Sequence, residues 1–105
     1  MRFGPDGEKL SSCLESIATL IETHGCSDRA DTGAAHIVRR LRRDAASTRD
    51  GDIHGAEHFC SRWELDDIYL SDRIADNVMR EFYSAALSLA ATLCRRVAFP
   101  ENAMR

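Results

Sequence analysis

Long apolar runs are missing from this 105-residue sequence. The most apolar segment, in the last third, is broken by Arg73, Asp76, Arg80, Glu81, Arg95 and Arg96, so no stretch of about 18 apolar residues exists to cross a membrane. The opening Met-Arg-Phe-Gly-Pro-Asp-Gly-Glu-Lys has no apolar centre of the secretory kind. Two prolines, 7% aromatic residues and few β-branched side chains offer little from which to build a sheet, while Ala, Leu and Arg are abundant and favour helix. There is no surplus of positive charge: the net charge is −3, so no global field advertises nucleic acid. No Cys-x-x-Cys occurs among Cys13, Cys26, Cys60 and Cys94. Without an export signal these thiols are expected to be reduced and the protein cytoplasmic, with Cys13, Cys60 and Cys94 packed as small hydrophobes in apolar stripes.

What is present is helical periodicity. Leu10, Cys13, Leu14, Ile17, Leu20 and Ile21 recur at spacings of three and four, with Asp6 as the expected cap and His24-Gly25 as a favourable end. A polar linker, 26–32, leads to a second helix from about Asp28 or Gly33 to Ala46, carrying Ala34, Ile37, Val38, Leu41 and Ala45 on one side. Residues 47–52 read as a turn, and Asp52 caps a third helix with Ile53, Ala56, Phe59, Cys60 and Trp63 inward. The period breaks between Glu64 and Ser71, where a bend of undefined boundaries is expected. The prediction is a single all-α domain over 1–105, about four helices and no strand, arranged as a bundle with flexible ends at 1–5 and 100–105.

The last helix is the unusual one. From Ser71 to about Phe99 there is no Gly or Pro, and Pro100 stops it. At 1.5 Å per residue it extends about 40 Å, whereas a spherical domain of this size is about 33 Å across. It also carries two apolar stripes: Ile74, Val78, Phe82, Ala85, Leu89, Leu93, and Met79, Tyr83, Ala86, Leu87, Ala90, Cys94, Val97. A helix apolar on two sides must be covered on both. This predicts a homodimer or a protein partner, with Tyr83, Leu87, Ala90 and Cys94 on the shared face and Val78, Phe82 and Leu89 inside the protomer. Phe82 and Tyr83, adjacent rings, would divide core from partner.

Three groups of polar residues invite a chemical role. Arg39, Arg40, Arg42 and Arg43 fan over the outer side of the second helix and could grip phosphates. No aromatic residue interleaves them for base stacking, and seven acids in residues 50–72 against one base, Arg62, provide counter-charge within the chain. A solvated or ion-paired face is therefore the bland reading, and a small DNA-binding regulator the alternative. His54 and His58, four apart, are candidate metal ligands, but zinc wants three or four and the spacing of Glu57 and Cys60 points them elsewhere. No metal or cofactor is expected. Asp66 and Asp67 diverge by about 100° on a helix and make no catalytic pair; no nucleophile stands beside a base, so no catalytic residue is assigned.

The segment Ser84-Ala85-Ala86-Leu87 through Leu93 to Phe99-Pro100, about 17 residues in an otherwise helical chain, resembles the last helix of small quorum-sensing antiactivators of the TraM type and their functional analogues. That resemblance implies a cytosolic helical dimer that disables a LuxR-type receptor by binding it. No functional residue carries over. The expected function is thus a non-enzymatic regulatory protein that binds another protein through helix faces.

Overall fold

The computed structural model describes residues 3–25, 27–28, 33–62 and 68–98. Helix α1 runs Gly4–His24, α2 Ala34–Arg49, α3 His54–Arg62 and α4 Arg73–Ala98. Contacts run in a cycle: α1 lies on α2 and α4, and α3 lies on α2 and α4. The all-α expectation holds, with one addition. Two short strands, β1 (Ser27–Asp28) and β2 (Ile68–Tyr69), pair antiparallel with Ser27 opposite Tyr69. Two residues each are too short for any alternation to show in a sequence, so this ladder was not foreseen.

Each helix begins where its local chemistry allows. α1 opens on Gly4-Pro5, with no side-chain cap, because a proline in the first turn forfeits only an N–H that has no helical partner. Asp6 is therefore not a cap but a first-turn residue, and residues 4 and 5 belong to the helix rather than to a flexible end. Gly25 ends α1 at φ 70°, its N–H donating to Ile21 O at 2.7 Å. α2 continues through Ser47, Thr48 and Arg49, past the expected stop at Ala46. The serine and threonine look like turn formers, but Thr48 is buried and its hydroxyl donates back to Asp44 O at 2.9 Å. Asp52 accepts the His54 N–H at 2.9 Å at the start of α3, as expected. Asp72 does the same for α4 through the Ala75 N–H at 2.9 Å.

The core is built from Leu10, Leu14, Ile17 and Ile21 of α1, Ile37, Val38, Leu41 and Ala45 of α2, Ala56 and Phe59 of α3, and Ala75, Met79, Ala86, Ala90 and Leu93 of α4. One polar bond crosses it: the buried Ser11 hydroxyl donates to Ala45 O at 3.0 Å, tying α1 to α2. Trp63, Glu64, Asp66, Asp67, Phe99 and Pro100 and the 100–105 end lie outside the described residues.

The long helix has an internal explanation. The molecule measures 44 × 22 × 21 Å, so α4, about 39 Å by its rise, fits along the longest axis without overhang. The radius of gyration, 13.8 Å, matches a sphere's; the shape does not. Both flanks of α4 are used within the chain, one by α1 and one by α3. The Tyr83 ring meets Phe59 of α3 edge-on at 5.9 Å, and Arg96 donates to Asp6 of α1 at 2.6 Å. An apolar arc wider than one neighbour needs is what a helix wedged against two neighbours requires.

α3 approaches α2 closely at Gly55. A Cβ there would lie 2.5 Å from Asp44 O and 3.0 Å from both Ser47 Cβ and Thr48 Oγ1. Backbone oxygen cannot yield as a side chain would. Gly55→Ala is therefore expected to destabilise the fold by about 1–3 kcal/mol, despite the roughly 1 kcal/mol that alanine gains over glycine in a helix. Urea denaturation checks this; an unchanged or raised midpoint would show that α3 can shift freely away from α2.

Candidate functional site

Two surfaces are distinctive enough to carry function: a polar hollow between α2 and α3, and the outer edge of α4. The hollow holds about 390 Å³ and is lined by His36, Arg40, Arg43 and Ser47 from α2 and His54 and His58 from α3. The α2 residues follow one another at spacings of four, three and four, so they share a face; His54 and His58 share one likewise.

Asp44 and Gly55 complete the hollow. Asp44 is 4% exposed, and both its carboxylate oxygens face His58 Nδ1, at 2.8 and 3.0 Å. On the other side of the ring, Arg40 Nη2 lies 3.0 Å from His58 Nε2. A guanidinium only donates, so Nε2 accepts and the ring proton sits on Nδ1, pointing at Asp44. The three side chains form one hydrogen-bonded line from α2 through α3 and back.

The candidate metal-ligand histidines have partners within the chain. Both ring nitrogens of His58 are engaged, and Nδ1 of His54 lies 2.8 Å from Asp52 Oδ1. Among the described residues no group of three or more His, Cys, Asp or Glu is placed to share an ion. Sequence spacing alone brought His54 and His58 together; what it missed was Asp44, whose acid looks like any other on a polar helix face.

The four arginines do not act as one patch. Arg42 donates to Glu15 at 2.8 Å and Glu22 at 3.2 Å, and Arg40 is bound to His58. The counter-charge on Arg42 therefore comes from α1, not from the 50–72 acids. Arg39 and Arg43 are exposed.

On α4 neither stripe is wholly inside or wholly outside the protomer. Ala90 is completely buried within the protomer and has no surface to offer a partner; Tyr83, Leu87 and Cys94 are half-buried against the same core, Tyr83 against α3. Val97 of that stripe is 42% exposed, and the other stripe, whose Leu93 is fully buried, also reaches solvent. Ile74 is 77% exposed, Ala85 is exposed, and Val78, Phe82 and Leu89 are only partly covered. Residue size misled the stripe assignment: the alanines Ala86 and Ala90 are inward because α4 approaches its neighbours closely there, and the larger residues flank them. Phe82 lines a groove of about 430 Å³ with Pro5, Lys9, Ser12, Cys13 and Ser16 of α1. The chain matches no protein-family model, no curated protein and no solved structure. Any functional reading rests on these surfaces.

Another missed cluster fixes the start of α4. Asp76 accepts the Leu70 N–H at 3.0 Å and pairs with Arg80 at 3.1 Å, while Arg80 also donates to Ile68 O and lies over the Tyr69 ring at 5.2 Å. The spacing of four between an acid and an arginine was the available signal.

The Cys60 thiol of α3 and the Cys94 thiol of α4 are close enough to influence each other's ionisation, and Cys60, expected inward, is exposed. Burial, and then the neighbouring thiol, push Cys94 up to about 11, and burial raises Cys13 and Cys60 as well. With Cys26 replaced by Ser, alkylation by iodoacetamide at pH 8 is expected to be slower than for a free cysteine and to accelerate above pH 9, because only the thiolate reacts. Rapid labelling of Cys94 at pH 8 would contradict the burial of that thiol.

His54 titrates above the ordinary histidine range, chiefly through its hydrogen bond to Asp52, then through the charges of Asp52 and Glu57. Asp52→Asn should return the His54 midpoint toward the ordinary value in an NMR titration. The pair stabilises the folded state below the unfolded histidine pKa, and that contribution disappears as pH rises through the raised one. A His54 midpoint indifferent to Asp52→Asn would place the pair in solvent, not in contact.

Proposed function

We propose that this chain is a non-enzymatic regulatory protein of the cytoplasm that binds another protein through α4. The observation that carries the reading is the seam Ile74, Val78, Phe82, Ala85, Leu89, apolar at coiled-coil spacing, with Ile74 and Ala85 exposed and the other three partly covered. An amphipathic partner helix is the occupant such a seam fits, laying its own apolar residues along Val78–Leu89 and into the groove beside Phe82. The groove brings Glu8 and Lys9 to its rim, so both signs of charge are available to fix register.

The resemblance of the last helix to TraM-type antiactivators makes a LuxR-type transcriptional regulator the first partner to test, with a homodimer of this chain as the resting form that covers the same seam. Inhibition would follow from occupying the receptor's own assembly surface. The fold's lack of a membrane-spanning helix among the described residues is compatible with a cytoplasmic encounter. The alternative, duplex DNA on the arginine face, has weaker support, since Arg42 and Arg40 are already engaged and only Arg39 and Arg43 extend freely into solvent from that group.

Ile74→Asp with Ala85→Asp, at the exposed positions of the seam, should leave the melting temperature nearly unchanged and abolish both self-association in sedimentation equilibrium and co-purification with a co-expressed LuxR-type receptor. Ala90→Asp, by contrast, buries an unpaired charge and is expected to unfold the protein outright. Met79→Ala, within the core, should cost about 2–5 kcal/mol at every protein concentration. A wild-type chain that stays monomeric at hundreds of micromolar removes the homodimer. A seam variant that still holds the receptor moves the contact off α4. Binding to duplex DNA that weakens steeply with salt would favour the alternative.

A further inference from the structure

We infer that the hollow between α2 and α3 is a binding site for a phosphate group carried on a small molecule. Three of the chain's four histidines converge there, with two arginines and a serine, from helix faces whose sequence separation gave no hint of convergence.

The hollow is lined by donor-bearing side chains from both helices. Among the described residues the side chains of His36, Arg43 and Ser47 make no hydrogen bond or ion pair, so their N–H and O–H groups are available to a ligand. His54 Nδ1–H is directed to Asp52, so its Nε2 becomes a donor to the hollow only when the ring is protonated. Arg40 adds a charge whose position is fixed by its bond to His58.

The acids nearby are each engaged by a histidine. Asp44 lines the hollow but is almost wholly buried, with its two oxygens turned to the His58 N–H. Asp52 is at the rim, engaged by His54. Two arginines are thus matched by Asp44 in the lining and Asp52 behind His54, and protonation of a histidine gives the hollow a net positive charge.

The class of ligand follows from donor number and size. Donor-bearing side chains reach the hollow from two helices, a spread that suits the three tetrahedrally arranged terminal oxygens of a phosphate monoester better than the two coplanar oxygens of a carboxylate. At about 390 Å³ the hollow is within the range of small-molecule sites and exceeds a lone phosphate, leaving room for an organic portion. Gly55, held without a Cβ by its contact with Asp44 O, keeps the α3 side of the hollow level with the α2 backbone.

The test uses the whole chain and histidine ring-proton NMR at fixed pH and constant ionic strength, titrating inorganic phosphate, glycerol phosphate and acetate. Saturable shifts are expected for His36, His54 and His58, while His24, outside the hollow, stays still. Tighter binding of the ester shows that the organic portion is read; equal binding shows that the phosphate group alone is recognised. Arg43→Gln, at an exposed position, should keep the helical signature and weaken phosphate about tenfold, the loss of one charge-assisted hydrogen bond. Absence of saturable shifts, a parallel response of His24, unchanged affinity in Arg43→Gln, or acetate binding as well as phosphate would each overturn the assignment.

Discussion

The close approach of α3 to α2 at Gly55 is the constraint on which most of the molecule depends. With no side chain at 55, the two backbones come within reach that a methyl group would forbid. Only at that separation does the short Asp44 side chain meet the His58 ring, and only then does His58 meet Arg40. One turn further along α3, the same placement aims Phe59 at Tyr83 and so determines where α4 can lie. A packing contact thus fixes a polar network on one side of α3 and an aromatic one on the other.

The second organising feature is the division of α4 into three strips. The middle strip is made of small or flexible residues, Ala75, Met79, Ala86 and Ala90, which let the helix sit deep between its neighbours. The strip toward α3 carries Tyr83 and Cys94; the strip toward α1 carries Phe82 and Leu89, which α1 covers only in part. α1 begins with glycine and proline and presents Lys9, Ser12 and Ser16 there, too little bulk to close over Phe82. The groove and the open seam are consequences of what α1 lacks at those positions.

Much of this could be read from the residues, and the failures have definite causes. Periodicity located all four helices, because spacings of three and four persist through each, and Asp52 and Gly25 marked their ends. The missed extension of α2 came from Ser47 and Thr48, whose hydroxyls serve a helix once one of them is buried against its own turn. The stripe assignment on α4 failed because burial depends on how near the neighbouring backbones come, which side-chain size alone does not reveal. The inference of overhang failed because a sphere was assumed for what is an elongated molecule. The polar hollow was invisible in sequence for a different reason: His36, Arg43 and His54 meet only through the turn between α2 and α3, and no spacing rule spans it. Asp44, central in space, looked like one more surface acid.

The Arg96–Asp6 pair joins residues ninety positions apart in sequence and couples the far end of α4 to the first turn of α1. During synthesis, α1 must therefore wait for nearly the whole chain before its α4-facing side is covered. Until then Leu10, Leu14 and Ile17 have only α2 to shelter them. Helices form in microseconds and chain elongation takes seconds, so the intermediate α1–α2–α3 unit is long-lived on the folding timescale. Its exposed face is the one that α4 later occupies. The period of greatest exposure to proteases is thus set by how far α4 follows α1 along the chain, not by the stability of the finished fold.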